Sequence, residues 1–97
     1  MNDKLDQEIR AGMNANRLME DPVFKEAFSV IESTLIERIR QVPMGDTKTQ
    51  HELVLSIQLL GQLKNYFRTV ADTGKMAKIQ KDTILDRAKR LMRGTNA

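Results

Sequence analysis

The sequence predicts an all-α protein, and three observations carry that class. Apolar residues recur at intervals of three and four over most of the 97 positions. No segment alternates apolar and polar residues in the manner of a half-buried strand. Both prolines, Pro22 and Pro43, stand at the edges of periodic runs.

In the first segment Leu5, Ile9 and Met13 fall at i, i+4 and i+8, with Leu18 and Met19 following. This spacing predicts a helix over 1–20, weakened in its middle by Gly12, Asn14 and Asn16. It ends at Asp21, because the ring of Pro22 disfavours the helical region for the residue before it. The same dipeptide opens the next helix: Asp21 caps the orphan amides, and Pro22 takes the first helical position, where a missing N–H costs nothing. From there Phe24, Phe28, Ile31, Leu35, Ile39 and Val42 step by 4, 3, 4, 4 and 3, a stripe that only an α-helix places on one face. Pro43 stops it.

The linker PMGDTK is short enough to join antiparallel neighbours. Two overlapping capping boxes follow, Thr47 with Gln50 and Thr49 with Glu52, and one of them is expected to start the third helix. That helix carries Leu53, Ile57, Leu60, Leu63, Phe67 and Val70. A second apolar row of Leu55, Leu59 and Tyr66 widens its face beyond what one partner helix covers. Gly61 inside it predicts the close approach of another helix, within the chain or from another subunit, since an interior glycine otherwise costs about 1 kcal/mol relative to alanine. Gly74 fits the left-handed position just past a helix end, with Lys64 and Arg68 suited to the negative end of the dipole, so a stop or bend is expected there. The two long helices would span ~30 and ~37 Å.

The segment after Gly74 reads as another amphipathic helix. Ala77, Ile84, Leu85, Ala88, Leu91 and Met92 fall in one arc, and Lys75, Lys78, Lys89, Arg90 and Arg93 lie opposite, interrupted by Asp82 and Asp86, the latter able to pair with Arg90. Residues 75–97 hold seven basic and two acidic residues, whereas the rest of a chain of net charge +3 has a small acidic excess. The basic excess is therefore a C-terminal property. The whole chain, 1–97, reads as one helical domain: an N-terminal helix over 1–20, an antiparallel hairpin of two long helices over 21–74, and a basic helix and tail over 75–97. The expected packing or oligomer interface is Phe24, Phe28, Ile31, Leu35, Ile57, Leu60, Gly61 and Phe67.

Composition narrows the function further. With 40% apolar residues and four aromatics, large core groups are scarce, and self-association is the expected source of extra burial. The absence of cysteine removes disulfides and thiolate metal sites. The longest strictly apolar run, Leu53 to Leu55, is far short of a membrane span, so a soluble, non-exported protein is expected. The single histidine, His51, sits beside Glu52 with no convergent partners, and Glu32, Glu37, Arg38 and Arg40 read as a solvated helix face. No catalytic residue, metal ligand, cofactor or small-molecule substrate is implied. A nucleic-acid contact would use Lys75, Lys78, Lys81, Lys89, Arg90 and Arg93; those cations can displace counterions, but no aromatic follows Phe67 to stack on bases.

Arg17, Leu18, Met19, Asp21 and Pro22 lead into Phe24, Glu26, Ala27 and Phe28; Asp46-Thr47 and Glu52-Leu53 follow in the hairpin, and Gly74-Lys75 closes it. On these residues the stretch 16–77 resembles small helical proteins encoded by tailed bacteriophages among their virion-assembly genes. Where such proteins often carry a tryptophan in each long helix, this chain has Ile39 and Leu53 or Val54. The resemblance implies a phage setting, in the virion or the host cytoplasm, without an activity. The reading that follows is a non-enzymatic structural or assembly accessory that self-associates and contacts other virion proteins. An oligomeric DNA-binding packaging or regulatory protein is the second reading, and a helical inhibitor of a host protein the third.

Overall fold

The computed structural model describes residues 3–95, which form three helices: α1 (Asp3–Glu20), α2 (Pro22–Gln41) and α3 (Thr47–Thr95). No strand occurs among the described residues, and the class is all-α.

The break between α1 and α2 is a single residue. Asp21 is extended (φ −64°, ψ 127°), as the residue before a proline must be, and its Oδ1 accepts from the N–H groups of Val23 (2.9 Å) and Phe24 (3.1 Å). At the far end of α2, Val42 is again extended before Pro43, and its N–H donates back to the Arg38 carbonyl at 3.1 Å.

Helix α3 starts on neither expected capping box. Asp46 is the cap: its Oδ1 accepts from the Thr49 N–H at 3.1 Å, and its carbonyl takes the first helical bond, from the Gln50 N–H. The Gln50 side-chain amide instead donates to the Pro43 carbonyl at 3.1 Å, bracing the turn. A carboxylate outcompetes the neighbouring hydroxyls because a charge-assisted acceptor also faces the positive end of the helix dipole. The Thr49 hydroxyl, and then its N–H, hold the Asp46 carboxyl below the ordinary value of 3.8. A lowered folded pKa means that the cap contributes stability fully present above that ordinary value, lost as pH falls through the folded one. In urea melts from about pH 6 to about pH 2, Asp46→Asn keeps the cap oxygen without a titrating group. It is expected to lose less stability on acidification than the wild type, and equal losses would place the acid sensitivity elsewhere.

The larger correction concerns Gly74. It does not stop α3, which continues unbroken to Thr95, and no glycine among the described residues has positive φ. The basic C-terminal segment is thus the second half of α3 and not a separate helix. No proline follows Gly74 to end the helix, and its missing Cβ serves a contact instead.

The contacts group the chain into two compact units. One joins the residues up to Asn16 with those from Arg68 onward, and the other is Arg17–Phe67. In the first unit α1 lies against α3 in opposite sequence order, with Asp6 paired to Lys81 at 2.7 Å and Gly12 set against Gly74. A Cβ on either glycine would lie 2.7 Å from the Cα of the other, closer than real Cβ atoms come. Ala15, Ala71 and Ala77 fill the rest of this seam, the last only 2% exposed. The face of α1 that is buried therefore centres on Gly12 and Ala15, while Met13 and Leu18 from the expected apolar stripe are exposed.

In the second unit α2 lies against the first half of α3, also in opposite order. Phe24 meets Phe28 (ring centroids 4.7 Å) and Phe67 (5.3 Å, edge to face). Further along, Glu32 pairs with Lys64 at 3.4 Å. Lys64 does not serve the end of a helix at all: its Nζ sits 5.7 Å from the Phe28 ring centroid, between that ring and Glu32. Glu32 accordingly leaves the solvated set, whereas Glu37 and Arg40 remain exposed, 4.0 Å apart. Phe28 and Leu53 are buried, and Phe24, Leu35, Ile57, Leu60 and Phe67 are half-buried.

Two residues of the expected packing or oligomer interface are exposed on this chain. Ile31 is exposed, because its position on α2 is rotated towards the edge of the contact. Gly61 is exposed, and a Cβ there would meet nothing within 4 Å, so no helix of this chain approaches it. The close glycine crossing within the chain is at Gly12 and Gly74.

Candidate interaction surfaces

Among the described residues no group of three His, Cys, Asp or Glu side chains stands where a metal could be held, and His51 is exposed at the start of α3. The surfaces with chemical character are one basic and two apolar.

The basic surface belongs to the second half of α3. Lys75, Lys78, Lys89, Arg90 and Arg93 are exposed, with Asp82 and Asp86 exposed among them, and the Asp86–Arg90 pair is not formed. Lys81, the sixth cation of that set, is half-buried and neutralised by Asp6. Lys75, Lys78 and Lys81 also border a groove of about 340 Å³ whose floor is Ile9, Gly12, Met13, Ala71 and Gly74. Its walls are aliphatic and its rim cationic, so it suits an amphipathic or anionic segment better than a nucleobase, which would need an aromatic platform.

The first apolar surface is on α3. Leu55, Leu59, Leu63 and Tyr66 step by 4, 4 and 3 along one face, and all are exposed, Tyr66 by 64%. The second is on α2, where Val23, Ala27 and Val30 step by 4 and 3 and, with Glu26 and Ile31, line a shallow depression of about 350 Å³. Val23 is 74% exposed. Residues 53 to 67 of α3 contain one charged side chain, Lys64, and that one is engaged by Glu32, leaving the outward side of the stretch uncharged. Depletion of charge at the centre of an apolar patch is the compositional mark of a protein interface.

Leu55, Leu59 and Tyr66 of the α3 row were visible in the sequence, whereas Leu63, expected on the packing stripe, is exposed beside them; the α2 row was not visible, because Val23 and Val30 lie outside the Phe24–Val42 stripe. The small-residue seam of the first unit was missed as well. Its signal was the spacing Gly12-x-x-Ala15 facing Ala71-x-x-Gly74-x-x-Ala77, which stacks small residues on one side of each helix. Among the described residues no helix is long and apolar enough to cross a membrane. Comparison with protein-family models, with curated proteins and with solved structures finds no match to this chain.

Proposed function

We propose that this chain acts by association and not by catalysis, as a small helical accessory in an assembly. One observation carries the proposal. Among the described residues the buried apolar side chains are Ala15, Phe28, Leu53, Ala71 and Ala77, three of them alanines, and no large side chain is fully enclosed. Leucine, isoleucine, valine and methionine side chains stay exposed along all three helices. Single exposed apolar residues are ordinary, but long rows at helical spacing with so little interior are the composition of a component whose core is completed by other chains. In this reading α2 and the first half of α3 work as an antiparallel helical hairpin that docks by its apolar sides. The virion-assembly setting, with its virion proteins as partners, is supported by the phage-like residues between 16 and 77.

The second reading, DNA binding, draws on the exposed cations Lys75, Lys78, Lys89, Arg90 and Arg93 on the second half of α3. Light scattering separates the two. Association predicts an absolute mass that is a multiple of 11.1 kDa and unchanged by duplex DNA or moderate salt. DNA binding by those five cations predicts a shifted mass with DNA and a log–log salt slope of about −4 to −5. A monomer with a salt-steep DNA complex would replace the first reading with the second.

A further inference from the structure

We infer that the two apolar rows of the Arg17–Phe67 unit form one continuous face and that its occupant is a second copy of this chain, so that two hairpins make a two-fold four-helix bundle. This rests on the association reading and specifies the surface and partner.

The rows share a side by helical phase. At 100° per residue the Leu55–Leu59–Leu63–Tyr66 row is centred about 120° round α3 from its contact face of Leu53, Ile57, Leu60 and Phe67. The Val23–Ala27–Val30 row lies about 100° round α2 from Phe24, Phe28 and Leu35, in the same sense along its own chain. The Phe24–Phe67 and Glu32–Lys64 contacts run in opposite sequence order. For two right-handed helices facing each other in opposite directions, equal rotations bring both rows to one side. Ile31, left exposed at the edge of the contact, falls between them.

Area and charge choose the occupant. The exposed parts of these eight side chains amount to roughly 700 Å², above the largest apolar patch of a typical monomer and close to the roughly 800 Å² that each partner gives to a stable interface. A two-fold contact sets the same patch against itself, so a charged patch would be repelled by its mate while an uncharged one would not. Between Leu53 and Phe67 the only charge, Lys64, is turned to Glu32, and along the Val23–Ala27–Val30 row the one bordering charge is Glu26. Nucleic acid would need cations here, and a highly charged protein would need an array of complementary charges; the patch offers no free cation and a single carboxylate, Glu26. The 4, 4, 3 stepping is also the seam by which helices interlock in bundles.

The chain contains one tyrosine and no tryptophan, so its intrinsic fluorescence reports from Tyr66, on this face. Expected for the full chain is a mass of twice 11.1 kDa by light scattering, with acrylamide quenching of Tyr66 that weakens as concentration drives dimer formation. Leu59→Lys, at an exposed site, is expected to leave the helical circular dichroism unchanged and return the mass to that of one chain. Ile79→Lys, exposed but off this face, is expected to leave the dimer intact. A dimer in which Tyr66 stays as quenchable as in the monomer, or which survives Leu59→Lys, overturns this surface and leaves the association reading standing. A wild type that is monomeric at every concentration overturns the second copy as occupant, and one that also binds no assembly component overturns the association reading itself.

Discussion

Gly74→Ala is expected to lower stability by about 2 kcal/mol, roughly 10 °C in Tm, although alanine is the better helix former. The two effects oppose each other. Replacing an interior helical glycine gains about 1 kcal/mol from reduced backbone entropy of the unfolded chain and better propensity. Against that, the new methyl would stand 2.7 Å from the Cα of Gly12 and 2.9 Å from the carbonyl oxygen of Glu8. Both are backbone atoms of α1, so no side chain can swing away; the helices must move apart, and Ala15, Ala71 and Ala77 lose their contacts with them. Overpacking that forces backbone shifts costs 1–3 kcal/mol and occasionally more, and here the upper end applies. Gly12→Ala should behave alike, and the double variant should cost less than the two single costs together, because both remove one crossing. Gly61→Ala is the matched control: with nothing within 4 Å of its Cβ position, it is expected to raise stability by about 0.5–1 kcal/mol. Thermal melts followed by circular dichroism read all four. If Gly74→Ala stabilises as much as Gly61→Ala, the crossing is not as close as described.

Phe28→Ala is expected to cost about 3 kcal/mol, the largest loss from any single truncation in the Arg17–Phe67 unit. Phe28 is the most buried large side chain of that unit, at 8% exposure. Its ring touches Phe24, which in turn meets the edge of Phe67, so removing it loosens an aromatic chain linking α2 to α3. It also lies beneath the Lys64 ammonium, whose pairing with Glu32 is half-exposed and by itself worth at most about 1 kcal/mol. Urea unfolding should show a lower midpoint with little change in slope. Met44→Ala, in the linker and 93% exposed, should stay within about 0.5 kcal/mol of wild type. A Phe28→Ala variant equal to Met44→Ala would mean that this unit does not depend on the α2–α3 contact.

Much of the fold was legible residue by residue, and the misses share a cause. The Phe24–Val42 stripe identified the buried side of α2 because large apolar groups dominate burial there. On α1 the same logic selected Leu5, Ile9 and Met13; the first two are half-buried, but Met13 is exposed and the closest contact centres on Gly12 and Ala15. Small residues contribute by letting backbones approach, an effect that a count of large apolar side chains does not register. Lys64 looked like a helix-end cation because it was read along its own helix, while its partners Glu32 and Phe28 come from another. The apolar row of Leu55, Leu59 and Tyr66 calls for a second neighbour by its spacing, and on the described chain it stays exposed because α2 covers only the adjoining face.

The sequence by itself determined the helical class and both ends of α2, since Asp21-Pro22 and Val42-Pro43 act through sterics and hydrogen bonds within three or four residues. Only the tertiary structure decided that Gly74 continues a helix, which face of α1 is buried, and which charges pair. Each of those depends on a group far along the chain, 32 positions away for Lys64 and Glu32 and 75 for Lys81 and Asp6. A glycine followed by lysine carries the same local signal whether it ends a helix or admits a neighbour, and the difference lies in the backbone of Gly12 pressed against it.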